Sequence, residues 1–292
     1  FGFKAASWLS ELGRQMERLQ EAKSRVLVGN LTGAVGTYAS WGDQGLEVQS
    51  RTMDILGLGV PDIVWHSSRD RIAEVMTLCS LLAGTAARIG RNVYHLNRTE
   101  IKELEEPSKG KIGSSTMPHK KNPVHAEWTM ILERAVRKNA SICIEGMQQE
   151  DEREAARWKN EWMAIPETFV LMSGILNHLG IILGGLDVKK ENMQANTGIL
   201  KGMLLSEQVM FVLEKAFPLP EAHTKVYDAS VRATENNSFL VDELMADPEV
   251  AEKCSREDIE QALDPAGYLG LSSQVALSVR DKAQAQLTAL AG

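Results

Sequence analysis

The stretch from Ser67 to Asn97 constrains the chain most, because it has no proline and keeps a single apolar rhythm. Ile72, Val75, Met76, Leu78, Cys79, Leu82, Ala83, Ala86 and Ile89 recur at three- and four-residue steps, the spacing that lines one face of a helix. At 1.5 Å per residue that helix is roughly 45 Å long. A face of such length is buried only against other long helices. Ala83, Gly84, Ala86, Ala87 and Gly90 would let a neighbour approach closely, so the stretch is read as the core of a bundle.

The rest of the chain supplies partners. Trp8, Leu9, Leu12, Met16 and Leu19 repeat the helical spacing between Ala5 and Val26. Gly29 to Thr37 breaks it; Asp43 could cap the next helix, which ends near Gly57. A second long helix is expected from about Val124 to Glu145. A third, from about Ile165 to Leu183, is apolar nearly all round and stops at Gly184-Gly185. A helix of that kind belongs inside a large assembly. After Gln194 the segments shorten, divided by Pro218, Pro220, Pro248 and Pro265. The expectation is an all-α fold: a long central helical bundle over 1–195 and a smaller helical C-terminal domain over 196–292. Aromatic residues at only 5% fit helix better than strand.

Composition excludes several classes of function. The formal charge of −7 argues against nucleic acid as a partner. Cys79, Cys143 and Cys254 are far apart, which fits neither a disulfide framework nor a zinc motif and suits a reducing, cytoplasmic setting. The six histidines show no HExxH spacing, so no metal site is expected. No apolar run is long enough to cross a membrane, and no signal peptide pattern is present.

The chemistry is expected between two of the helices. Glu106 to Pro123 reads EPSKGKIGSSTMPHKKNP, a long loop with four lysines against one glutamate in an acidic chain. Loops of this length are usually functional or disordered. Gly113 would let the backbone come close to a ligand. Ser114, Ser115 and Thr116 supply hydroxyls and successive N–H groups for an anion, and Lys120 and Asn122 could hold carboxylate oxygens. The same residues would also suit an exposed surface loop.

Gly113 to Pro123, GSSTMPHKKNP, resembles the GSSxMPxKxNP signature of the fumarase/aspartase superfamily. Thr32 to Thr37 resembles that family's glycine-rich connection, and Arg69-Asp70-Arg71-Ile72-Ala73-Glu74 the start of its long central helix. Within the superfamily the nearest branch is the 3-carboxy-cis,cis-muconate cycloisomerases, with the adenylosuccinate lyases second. Phe1 to Leu9, Trp65-His66-Ser67-Ser68-Arg69-Asp70-Arg71 and the segment from Gln149 to Trp162 are similar to the cycloisomerase pattern. The serines that adenylosuccinate lyases carry near the last of these are absent. Asp151 stands in place of the cycloisomerase histidine, and Lys121 in place of the usual arginine.

The resemblance implies proton transfer at a carbon next to a carboxylate of a small polycarboxylate substrate, most closely the lactonization of 3-carboxy-cis,cis-muconate in aromatic catabolism. Adenylosuccinate cleavage, or another fumarate-releasing elimination, is the alternative. A non-catalytic structural protein on this fold, as among lens crystallins, is the reading from another class. Ser115 is implied as the acid/base on carbon, with Ser114 as fallback. A serine can act so only where donors surround its alkoxide and water is excluded. Lys120, Asn122, His119, Thr116, Thr37, Arg153 and Trp158 are implied as substrate-binding residues. Each also has an ordinary structural use: His119 could cap backbone, Thr37 could belong to a tight turn, and Trp158 could simply pack on Trp162. Arg69 is expected to pair with Asp70 or a neighbouring helix, and His66 and His125 are taken as structural. No cofactor is implied. A homotetramer with shared active sites is. The resemblance also places an amino-terminal domain, with a proton-transfer histidine, upstream of Phe1, so the residues shown are expected to be part of a longer subunit.

Overall fold

The computed structural model describes residues 1–107, 117 and 120–291. It is all-α, with two-residue strands as the only sheet among the described residues. Two compact units are present. The larger comprises residues 4–99, 104–188 and 279–292, and the smaller 1–3, 100–103 and 189–278. The division falls at Lys189, whereas the sequence reading set a domain boundary near residue 196.

The larger unit contains most of α1 (Gly2–Val26), then α2 (Gly45–Leu56), α3 (Asp70–Leu96), β1 (Leu104–Glu105), α4 (Val124–Glu145), α5 (Ala155–Gly185) and β2 (Asp187–Val188). Helices α3, α4 and α5 form the bundle, and each runs antiparallel to the next. Gly90 near the end of α3 faces Ala126 and Thr129 at the start of α4, while Met76 packs with Ala140, Cys143 and Ala164. Gly90 is what lets α3 and α4 come so close: a Cβ there would lie 2.0 Å from Thr129 Oγ1 and 3.0 Å from the Ala126 carbonyl oxygen. A buried polar contact ties α1 to α3, with Gln15 Nε2 donating to Thr85 Oγ1 at 3.0 Å and that hydroxyl donating to Glu11 at 2.8 Å. Strand β1 pairs antiparallel with β2, Leu104 opposite Val188.

Helix α5 departs from the expectation in two ways. It starts ten residues before Ile165, and Pro166 lies inside it. Proline removes the hydrogen bond to the Trp162 carbonyl but does not end the helix, because packing on both sides of it holds the helical path. The helix is also not buried all round: Glu161, Ala164, Thr168, Met172, Ile175, Leu179 and Ile182 form one buried stripe. Phe169, Val170, Leu176 and Leu183 lie on its exposed side.

The expectation that no segment is long enough for a membrane needs correction. By length and composition alone, α3 and α5 both qualify. Polar residues are scattered along both helices, but mean hydropathy along each stays high. Here both helices pack in the bundle, each with a buried face.

The smaller unit holds α6 (Lys190–Thr197), α7 (Ser206–Leu213), α8 (Leu219–Asn236), α9 (Leu240–Met245), α10 (Pro248–Lys253) and α11 (Arg256–Ala262); α12 (Ser272–Ala291) starts in it and ends in the larger unit. Val209, Leu213, Val226, Leu240, Leu244 and Ile259 anchor its core. Its helices are short because caps and prolines punctuate them. Asp247 accepts from the N–H groups of Glu249 and Val250, Ser255 accepts from Asp258 N–H, and Pro248 occupies the first turn of α10.

Candidate active site

Four of the sequence-predicted residues, Ser114, Ser115, Thr116 and His119, lie outside the described residues. The remaining five fall into two groups at opposite ends of the bundle.

The first group sits where α4 begins. Lys120 is exposed, and its N–H donates to the Met117 carbonyl at 3.0 Å; Asn122 is half-buried, and its carbonyl accepts from Val124 N–H at 2.9 Å. Pro123 precedes α4 and gives its first turn no side-chain cap. That role falls to Glu106, from the other side of the loop. Glu106 is 6% exposed, and its carboxylate accepts from His125 N–H at 2.9 Å and Ala126 N–H at 3.0 Å. Glu105 forms an ion pair with Lys121. Behind these residues, His125 Nδ1 and His178 Nδ1 are 2.9 Å apart, one ring donating and the other accepting, and Trp128 stacks on His178. Burial first, and the His125 imidazole second, hold His178 below the ordinary histidine pKa.

The second group sits where α4 ends and α5 begins. Thr37 is exposed, in a turn where Gly36 has φ +89°; a Cβ there would come within 2.4 Å of Val64. Arg153 binds this segment, its Nη1 donating to the Ala34 carbonyl at 3.0 Å, and its guanidinium lies 5.7 Å from the centre of the Trp158 ring. Trp158 in turn meets Trp162 edge-on at 5.4 Å. The structure therefore brings Arg153, Trp158 and the segment carrying Thr37 together.

A buried ion pair underlies that end. Arg69 Nε donates to Glu161 Oε1 at 2.9 Å, and Nη2 donates to the other carboxylate oxygen. Both side chains are at most 7% exposed. This fork-to-fork pair joins the start of α3 to α5, and Arg69 Nη1 also donates to the His66 carbonyl at 3.3 Å. Arg69 thus pairs with a neighbouring helix and not with Asp70. Burial, then Arg153 and Arg69, lower the pKa of His66, whose Nδ1 is buried without a partner. Cys143 nearby is pushed up to about 11 by burial and by Glu161, so its thiol stays protonated at neutral pH.

The two groups are separated by the length of α4. Its 22 residues span about 33 Å at 1.5 Å per residue. Among the described residues no cluster of three or more metal-binding side chains occurs. Sequence reasoning missed Glu106, Glu161 and the His125–His178 pair. Glu161 lies within the quoted tryptophan segment, which was the available signal; Glu106 and the histidines have partners too distant in sequence to be read.

Known proteins match this chain along most of its length. The Lyase family matches residues 1–137, and the adenylosuccinate lyase C-terminus family matches residues 202–279. N-acetyl-S-(2-succino)cysteine lyase of Dickeya dadantii (strain 3937) is 43% identical over 275 residues, covering 94% of this chain and 61% of that protein. The protein of the same name from Enterococcus italicus is 44% identical over 272 residues, covering 93% and 60%. Among solved structures, the 3-carboxy-cis,cis-muconate lactonizing enzyme from Pseudomonas putida superposes with a TM-score of 0.91 at 34% identity, over 98% of this chain and 64% of that one. The chain thus spans about 60% of the length of these curated relatives. With the bundle, the matched families and these relatives in agreement, the chain belongs to the fumarase/aspartase superfamily of lyases.

Proposed function

We propose that the whole enzyme eliminates a thiol from a succinate-bearing thioether and releases fumarate, at sites shared between copies of a homotetramer. The observation that carries the shared sites is the separation of the two groups of candidate residues by the length of α4, while the thioether rests on the relatives at 43–44% identity. A small polycarboxylate is a fraction of about 33 Å long, so one substrate cannot touch both groups of a single chain. A second copy that presents the opposite end of its bundle would complete each site. The exposed apolar side of α5, with Val170 at 73% and Phe169 at 53% exposure, supports packing between copies.

In this reading Ser115, with Ser114 as its fallback, takes a proton from the succinyl carbon next to a carboxylate. The charge spreads into that carboxylate, where Lys120, Asn122, Thr116 and His119 are assigned to stabilise it as donors. The bond from the neighbouring carbon to sulfur then breaks. Its electron pair leaves with sulfur, and a carbon–carbon double bond forms. A thiol has a pKa near 8.5, so a thiolate departs with little help from an acid, unlike an amine. Arg153, Trp158 and Thr37 hold the remainder of the substrate. The two relatives at 43–44% identity, named for 2-succinocysteine cleavage, support the thioether, and Asp151 and Lys121 mark departures from the cycloisomerase pattern. No step calls for a metal or organic cofactor, and a cytoplasmic location suits the substrate class.

Lactonization of 3-carboxy-cis,cis-muconate is the second reading, supported by the segment from Gln149 to Trp162 and by the TM-score of 0.91. The two readings share proton transfer next to a carboxylate and differ in the bond made or broken. Incubating the whole enzyme with N-acetyl-S-(2-succino)cysteine, 3-carboxy-cis,cis-muconate and adenylosuccinate separates them. Fumarate and free thiol from the first substrate alone is the expected result. Lactone from the second, or AMP from the third, with no turnover of the first, would overturn the thioether reading.

A further inference from the structure

We infer that Glu106 is a positioning residue of the active site, one that fixes the end of the signature loop from which Lys120 and Asn122 project. The inference rests on the reading of that loop as catalytic. Its geometric basis is independent of it. Residues 104–107 form one end of the loop and 120–126 the other, and the side chain of Glu106 joins the two.

Several contacts make the first end rigid. Leu104 is 1% exposed and pairs with Val188 in the β1–β2 ladder. Pro107 lies against Gly185 so closely that a Cβ on that glycine would be 2.8 Å from the proline ring. From this platform Glu106 reaches across to α4. Its two oxygens take the N–H groups of His125 and Ala126 at 2.9 and 3.0 Å, one each. The first N–H groups of a helix have no partner within the helix, and Pro123 supplies none from its side chain. A carboxylate at this end also lies favourably in the helix dipole. The ion pair of Glu105 with Lys121 ties the same two segments a second time.

A cap taken from a residue 19 positions earlier is a costly arrangement if only the helix mattered, since a serine or aspartate at position 123 would do. What the long-range cap adds is register. It sets the distance from β1 to the first turn of α4, and with it the place of Asn122, three residues before His125. Misplacing a catalytic group by about 1 Å can cost on the order of 100-fold in rate. Glu106 touches no reacting atom in this scheme; it acts through the residues it places.

The test compares wild type, Glu106→Gln and Glu106→Asp in the whole enzyme, with Val250→Ala as a control. Val250 is buried in the core of the smaller unit, whereas the loop ends belong to the larger one, and its truncation lowers stability without altering a residue of the site. For Glu106→Gln we expect kcat to fall about 10- to 100-fold and KM to change less than about threefold, with faster hydrogen exchange at His125 and Ala126. Glu106→Asp should recover part of both, and Val250→Ala should keep full kcat at a comparable loss of Tm. Full kcat in Glu106→Gln, or unchanged exchange at His125 and Ala126, would overturn the inference. A parallel fall of kcat in Val250→Ala would reduce Glu106 to a structural role and overturn it equally. If the wild type turns over none of the three substrates, the functional reading fails by itself, and the exchange arm alone then decides whether Glu106 holds the loop end.

Discussion

Glu161 shows how a single residue can govern one end of a bundle. It accepts both forks of Arg69 in a setting where neither side chain sees much water. Removing one partner of a buried pair leaves an unpaired charge, which costs about 3–5 kcal/mol. Glu161→Ala should lower stability to unfolding by that amount, measured by urea titration, and Glu161→Gln by less. Ser115→Ala should cut turnover by several orders of magnitude while the helical circular dichroism stays unchanged; a variant with more than a small fraction of wild-type rate would remove Ser115 as the carbon acid/base. His178 gives a pH dependence with a definite sign. Its folded pKa is held below the ordinary 6.5, so the unfolded chain takes up the proton first as pH falls. The stability it contributes is complete above about 6.5 and is lost as the pH drops towards the folded value. His178→Gln should flatten the fall of Tm on the acid side of about pH 6.5, leaving the share due to His66, whose pKa is lowered as well.

At the scale of elements, the sequence foretold helices best where periodicity and small residues agree. The second long helix was expected from Val124 to Glu145 and has those bounds. Gly90 was read as a point of close approach, and it meets Thr129 and Ala126. Gly90→Ala should therefore cost about 1–3 kcal/mol by overpacking. Thr129→Ala in the same chain should recover part of it, as a thermal melt would show. Legibility failed where a distant partner overrides the local signal. The third helix is expected from about Ile165, yet α5 starts at Ala155 and extends through Pro166, because its buried stripe packs on both sides of the proline. Glu106 reads as a loop residue, but it caps a helix whose N–H groups leave no mark on side-chain identity. The signature motif made the loop legible as chemistry, and Arg153 with Trp158 was legible only through resemblance; their meeting with the Ala34 carbonyl required the fold.

For the whole molecule, the bundle in the proposed reading acts as a scaffold and holds halves of two different sites apart. The proposed homotetramer predicts four subunits at micromolar concentration in light scattering of the whole enzyme. The most direct measurement mixes two inactive variants. Ser115→Ala disables the end of the bundle where α4 begins, and the double variant Arg153→Ala/Trp158→Ala weakens the end where α4 finishes. Each homogeneous enzyme should be nearly inactive. After the two are dissociated together and reassembled, some sites draw both of their ends from unaltered sequence, and fumarate release should return well above the sum of the two parents. No recovery, in mixed assemblies shown by mass spectrometry to contain both variants, would contradict the sharing of each site between opposite ends of different copies.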